Sequence, residues 1–526
     1  MTAADDGLGH GVVRAVGAIG LATLLSRVLG YARDIVVARA FGAGPMTDAF
    51  FVAFRIPNLL RRLFAEGALS TGVVPVLSET LARGGAGAFE RAVRALAGTG
   101  GLVLAAVTGL GALLAPWVVA VMAPGWRGDP ALFDLAVRLT RVMFPYLLLV
   151  GLAALCMGAL NTRRRFFTSA LSPAVLNVAM ILSVLLLAPR LDPPVVALAV
   201  GVLAGGLGQL AVQLPEVRRL GLRLVPVVDW RDQAVRRVAW RLWPAVFALA
   251  AVQITVLVNT LLASLLPAGA VSYLYYADRV MEFPLGVFGI ALATAALPEM
   301  ATRAARGEDA AFRTTLSSAL GLSAFVAVPA AVGLVVLAGP IVALLFQRGE
   351  FGAVETARTA EALVGYAAGL PAFSAARIAA QAFHARGDTR TPVVTGFVAL
   401  AVNVVVAVAL MGPLGHGGLA WASTVSGYAN AAILCWRLGR RGGALAVAPL
   451  GRSLLRTVGA SAALLGWCWW ARSALGAEAG ALGTLAAIAG GALAYLGAAV
   501  ALRAPEVRSL RALLRREVAL PPPEGE

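Results

Sequence analysis

The chain is 526 residues long, 60% hydrophobic and 13% charged, with a formal net charge of +17. Apolar stretches recur from Val12 to Leu502 with short interruptions, which excludes an ordinary soluble protein and leaves no polar stretch able to solvate a separate globular domain. Lysine is absent, and the arginines lie mostly in short connections between apolar stretches, a pattern that fits membrane topology and argues against a nucleic-acid partner.

The N-terminus carries Asp5 and Asp6 ahead of its apolar run, and Arg27, Arg33 and Asp34 interrupt that run. A cleaved signal peptide needs a basic start and an unbroken apolar core, so this segment reads as an uncleaved first span. A span needs about 20 mostly apolar residues. Applied along the chain, that length predicts helices near 14–41, 47–81, 95–123, 133–160, 167–188, 194–217, 238–266, 270–300, 314–346, 358–384, 391–411, 417–437, 453–474 and 480–502. The expected fold is an all-α polytopic membrane protein of about fourteen transmembrane helices.

Loop charge checks that number, because one span too many or too few would invert every later loop. The connections after even-numbered spans hold the arginine clusters: Arg83, Arg91 and Arg94; Arg163 to Arg165; Arg218, Arg219, Arg223, Arg231, Arg236 and Arg237; Arg303, Arg306 and Arg313; Arg386 and Arg390; Arg437, Arg440, Arg441, Arg452 and Arg456. Those after odd-numbered spans offer little beyond Arg127, Arg190, Arg348 and Arg472. Both termini are therefore expected in the cytoplasm.

Two stretches, LAVGVLAGGLGQLAVQ from Leu198 and LAWASTVSGYANAAIL from Leu419, resemble one another, and spans 5 and 11 share the central asparagines Asn177 and Asn403. This weak similarity suggests a duplicated six-span unit with a site between two lobes near the midplane, the alternative being coincidence among low-complexity Ala/Leu/Gly helices. The expected organisation is an N-lobe over 1–230 (spans 1 to 6), a C-lobe over 231–445 (spans 7 to 12), and spans 13 and 14 with a basic tail over 446–526.

Spans 1 and 2 contain Arg27, Arg33, Arg39, Arg55, Arg61 and Arg62 against Asp34, Asp48 and Glu66, six arginines to three carboxylates. Each arginine at the bilayer centre costs about 2.5–3.5 kcal/mol on an insertion scale, so these side chains are expected in a protein interior or a wet cavity. Counting about 1.5 Å per residue, Arg27 lies roughly 20 Å above the start of span 1 and Arg61 about 21 Å below the start of span 2. Span 8 adds Asp278, Arg279 and Glu282. Surplus cation suits an anionic ligand, and the planar guanidinium fork suits a diphosphate. The rival reading makes the same charges buried ion pairs that lock helices together, such as Arg279 with Glu282. Pro57 and Pro284 break helices beside these charges, a habit of transporters and also of ordinary kinked spans. Cys156, Cys435 and Cys468 stand far apart in apolar segments, and no histidine has a partner at ligand spacing, so neither a metal nor another cofactor is expected.

The block SRVLGYARDIVVARAFGAGPMTDAFFVAFRIPNLLRRLFAEGALSTGVVPVLSE, from Ser26 to Glu79, resembles the opening of the MurJ (MviN) family of lipid II flippases. YYADRVMEFPLGVFGIALATAALPEM from Tyr275, LFQRGEF from Leu345 and ARGDTRTPV from Ala385 are similar to later motifs of that family. The resemblance implies the fold of the multidrug/oligosaccharidyl-lipid/polysaccharide exporter superfamily, with two six-helix lobes around a cationic cavity and two further helices. It implies a bacterial inner-membrane transporter, not an enzyme. That transporter would flip the undecaprenyl-diphosphate-linked peptidoglycan precursor, lipid II, to the outer leaflet by alternating access, with membrane lipids as its other partners. Carried onto this chain, the family's important positions fall on Ser26, Arg27, Arg33, Asp48, Arg61, Glu66 and Arg279. Joined to the surplus of arginine, this gives substrate binding by Arg27, Arg33, Arg61 and Arg279 as the expectation, with Ser26, Asp34, Asp48, Glu66 and Glu282 supporting the cavity or its gates. Where some members are thought to bind sodium through carboxylates, spans 7 and 11 here offer Asn259 and Asn403. Membrane potential or another ion is the expected drive. The alternative is an exporter of another polysaccharide-lipid, or of drugs, within the same superfamily.

Overall fold

The computed structural model describes residues 3–62, 72–222, 225–286, 290–440, 447–475 and 480–508; the side chains of 3–19, 60, 243–252, 290–291, 295, 447–448 and 475 are outside that description. The described residues form helices and turns with no strand, the all-α architecture expected. Span 1 is α1 (Ala3–Phe41), and span 2 is α2 (Pro45–Arg61) followed by the first turns of α3 (Val74–Leu113). Span 3 is the rest of α3 with α4 (Ala115–Met122), and span 4 is α5 (Pro130–Met143) with α6 (Pro145–Thr162). Spans 5 to 7 are α7 (Phe167–Leu187), α8 (Val196–Arg219) and α9 (Gln233–Ser264). Span 8 is α10 (Ala270–Pro284) with α11 (Ile290–Ala305), span 9 is α12 (Asp309–Val336) with α13 (Ala338–Phe346), and span 10 is α14 (Ala353–Ala368) with α15 (Leu370–Ala385). Spans 11 and 12 share α16 (Arg390–Arg440), and the last two are α17 (Val447–Leu475) and α18 (Gly480–Ala501).

The long helices that join two spans are divided at glycines with left-handed backbone, Gly85 at φ +66° in α3 and Gly415 at φ +55° in α16. That conformation costs a Cβ-bearing residue strain and glycine none. Breaks inside single spans follow proline, which has no N–H for the preceding turn: Pro116, Pro145 and Pro371 all sit in the first turn of the helix after the break. Among the described residues, seven helical segments, one of them α5 running on into α6, are long and apolar enough to cross a bilayer, and the pair α14 and α15, bent by 41°, makes an eighth candidate.

The chain forms two compact units, one of residues 1–272 with 348–351 and the other of 273–347 with 352–526. In the first, α1 packs on α7, α7 on α8, α6 on α3 and α8, α5 on α2, and α9 on α3. Its core joins Leu77, Phe89 and Leu96 of α3 to Cys156 and Leu160 of α6 and Val217 of α8. Residues 348–351, from the LFQRGEF motif, return to the end of α1, where Glu350 N donates to the Arg39 carbonyl at 3.0 Å. In the second unit, α12 packs against α15 and α17, and α16 against α14 and α15. The last two helices are fastened to it: Tyr495 of α18 stacks 5.1 Å from Phe325 of α12 and donates to its carbonyl at 2.6 Å, while Trp467 Nε1 of α17 donates to Ala487 O at 3.1 Å. Alanine and glycine fill many of the remaining contacts, which suits a bilayer where close backbone approach drives helix association.

Candidate functional site

Arg33 sits on the face of α1 that meets α7, only 7% exposed. Its Nε and Nη2 donate to Asp34 Oδ1 at 3.0 and 2.7 Å, and its Nη1 donates to Asn177 Oδ1 of α7 at 3.1 Å. Asn177 Nδ2 in turn donates to the Ser26 carbonyl at 3.1 Å. The asparagine thus spans two turns of α1, and the guanidinium and carboxylate are desolvated together. Of the charges expected at the site, Arg33 and Asp34 are therefore braced within the first unit, and Ser26 contributes through its main chain.

Arg27 lies six residues earlier, and at 3.6 residues per turn this puts it about 120° away around α1. Its side chain is exposed, beside the exposed Leu24, Leu25 and Val28, and among the described residues nothing hydrogen-bonds to it. Arg61, in the last turn of α2, is half-buried and donates through Nε to Asn58 Oδ1 at 3.1 Å. Tyr146 of α6 is fully buried and within electrostatic range of both Arg33 and Arg61. Among the described residues its hydroxyl has no hydrogen-bond partner, a costly arrangement for a buried polar group. The sequence reading passed over Tyr146, because nothing along the chain marks a tyrosine 85 residues after Arg61 as its neighbour. Glu66 lies outside the described residues.

Asp48, 2% exposed, serves a different purpose. Its carboxylate accepts from the backbone N–H groups of Gly269 and Ser272 at 2.6 and 2.8 Å and from the Ser272 hydroxyl at 2.6 Å. It caps the N-terminus of α10 from a distance of more than 220 residues, where unpaired N–H groups and the helix dipole both favour an anion. Replacing Asp48 with alanine strands two buried N–H donors, each costing about 1–3 kcal/mol. A drop of several degrees in the unfolding midpoint of detergent-solubilised protein is the expected result; an unchanged midpoint would show the cap to be idle.

In the second unit, Arg279 of α10 pairs with Glu282 at 2.9 Å and stacks 5.7 Å over Tyr275. Their side chains are 31% and 43% exposed, so the pair is open and its energetic worth small. Arg377 of α15 lies within electrostatic range of Glu282. Pro284 of α10 and Ser374 of α15 line one small cavity, and Arg377 follows Ser374 by one turn. Glu282 thus answers two arginines, and the charges of Asp278, Arg279, Glu282 and Arg377 sum to zero where the span 8 trio alone carries a net negative charge. The signal for Arg377 was present, an arginine inside an apolar stretch, yet it was not singled out.

The comparisons with known proteins agree with this architecture. The family model described as lipid II flippase MurJ matches residues 37–489. The lipid II flippase MurJ of Burkholderia cenocepacia is 39% identical over 452 residues, covering 85% of this chain and 88% of that protein. The Vibrio cholerae protein named "Probable lipid II flippase MurJ" is 40% identical over 419 residues, covering 78% and 80%. A solved MurJ in an inward-closed conformation superposes with a TM-score of 0.78 at 22% identity, covering 94% of this chain and 99% of that one. An inward-facing transporter of the MATE family gives 0.65 at 14% identity, covering 81% and 96%, so the fold is shared beyond flippases. With the family model spanning most of the chain and relatives near 40% identity along four-fifths of it, this multi-pass membrane protein belongs to the lipid II flippase MurJ family.

Proposed function

We propose that the protein flips lipid II, the undecaprenyl-diphosphate-linked peptidoglycan precursor, from the cytoplasmic to the outer leaflet of the bacterial inner membrane by alternating access. The observation that carries this reading is Arg27, exposed on α1 with no hydrogen bond among the described residues while Arg33 and Asp34 pair with one another; the half-buried Arg61 of α2 adds a second guanidinium in the same unit. A diphosphate supplies the complementary charge, and bidentate guanidinium contacts give it geometry as well as energy. Arg61 and Arg27 meet the phosphates in the first unit, Tyr146 supplies a hydroxyl donor as the helices shift, and Arg33 keeps α1 on α7. In the second unit Arg279 exchanges Glu282 for a phosphate oxygen.

Both termini lie in the cytoplasm, on the side of the arginine-rich loops. The drive is the membrane potential: moving one charge through 100 mV is worth about 2.3 kcal/mol. The test is to express the chain in cells depleted of their own flippase and to follow lipid II reaching the outer leaflet. Rescue with restored flipping is expected. A drug-resistance gain without rescue would instead mark an exporter of the same superfamily.

A further inference from the structure

From Val225 the connection between α8 and α9 is an extended strap held against α3 by hydrogen bonds, and its Trp230 carbonyl accepts from Arg236 Nε at 3.3 Å. Val227 N donates to the Arg94 carbonyl at 3.1 Å, Arg94 Nε donates to the Val225 carbonyl at 3.0 Å, and Asp229 N donates to Thr99 Oγ1 at 2.9 Å. The strap's acids are used in its own turns: Asp229 accepts from Arg231 N and Asp232 N, and Asp232 caps α9 through Ala234 N and Val235 N. It lies so close to α3 that a Cβ at Gly98 would meet the Val227 backbone at 2.3–2.5 Å. Only glycine at 98 lets it lie there.

What points outward is apolar and basic. Val225, Val227, Val228 and Trp230 are 58%, 40%, 54% and 55% exposed, and the arginines Arg218, Arg219, Arg231 and Arg236 are exposed around them. The strap crosses α3 at residues 94–99, where the helix passes from a basic loop into its apolar stretch. This is the level of the headgroups, where tryptophan rings and short apolar side chains insert and arginines meet phosphates. With both aspartates turned inward, the outer face has a positive excess.

We propose that residues 225–232 form an interfacial anchor that binds acidic phospholipid headgroups on the arginine-rich side of the membrane. The anchor rests on the cytoplasmic orientation given above and is independent of the transported substrate. It ties the joint between the two halves of the sequence to the charge of the leaflet, so lipid composition reaches the start of α9 directly.

The test uses the full chain in nanodiscs, with the native cysteines replaced and a nitroxide on Val228→Cys. In discs containing phosphatidylglycerol the label is expected to be accessible to oxygen and shielded from a water-soluble nickel chelate. In pure phosphatidylcholine that shielding is lost. Removing Arg231 and Arg236 as glutamines weakens phosphatidylglycerol retention, read by native mass spectrometry, about fivefold per arginine. Gly98→Val lifts the strap and exposes the label to the chelate; the exposed arginine variants keep the test decisive should that variant fail to fold. A label equally immersed in both lipids, or equally wet in both, overturns the proposal.

Discussion

Arg27→Ala combined with Arg61→Ala is expected to abolish rescue of flippase-depleted cells while leaving the protein folded. Arg27 is exposed with no hydrogen-bond partner among the described residues, and substitution at such a position costs within about 0.5 kcal/mol of stability. Arg61 gives up a half-buried contact to Asn58, a loss of about 1 kcal/mol. Transport should fall much further. A hydrogen bond to a charged group contributes about 1.5–3 kcal/mol, so losing one strong contact at each arginine removes roughly 3–6 kcal/mol, or 10²- to 10⁴-fold in rate. Initial flipping rates in proteoliposomes, normalised to folded protein, measure this. Arg61→Lys separates charge from geometry: a lysine keeps the charge without the planar fork and should recover only part of the rate. Full rescue by the double alanine variant would remove both residues from the site.

The number of spans was legible because it rests on two independent physical signals, apolar length and the alternation of arginine-rich loops. The helix breaks within spans were less so. Pro116, Pro145 and Pro371 divide apolar runs that hydropathy reads as continuous, and Gly85 and Gly415 divide continuous helices at points where hydropathy shows only short polar gaps. Which arginines interrupt apolar runs could be read directly, since a charge in an apolar run has few bland explanations. Their roles could not. Arg27 and Arg33 share span 1, and nothing in their spacing marks Arg33 as the one that braces the helix. The flexible arginine chain instead reaches its immediate neighbour, and the third member, Asn177, is 144 residues away. Asp48 likewise finds its partners only through the tertiary fold, at Gly269 and Ser272. Long-range polar partners of this kind leave no local periodicity. Arg377 is the opposite case, a visible signal hidden by the prominence of the first two spans.

Arg33→Ala is expected to lose function by a different route from Arg27→Ala, and the difference can be measured. Asp34 is 2% exposed and takes two guanidinium donors from Arg33, so the substitution takes both donors from a buried carboxylate. Removing one partner of a buried pair costs about 3–5 kcal/mol. The unfolding midpoint should fall steeply, and Asn177 should keep only its bond to the Ser26 carbonyl of the two that tie it to α1. Asp34→Ala should also destabilise, because the desolvated guanidinium then keeps only Asn177 among the two partners that bracket it. The double variant should recover part of the loss, since removing both charges removes the burial penalty with them. A coupling of about 2–3 kcal/mol between the two sites is the expected outcome of that cycle. If Arg33→Ala were as stable as the wild type and still inactive, the bracket reading would fail and Arg33 would rejoin Arg27 and Arg61 as a phosphate ligand. Stability thus separates two roles that transport assays alone would merge, because every one of these arginines is expected to read as essential.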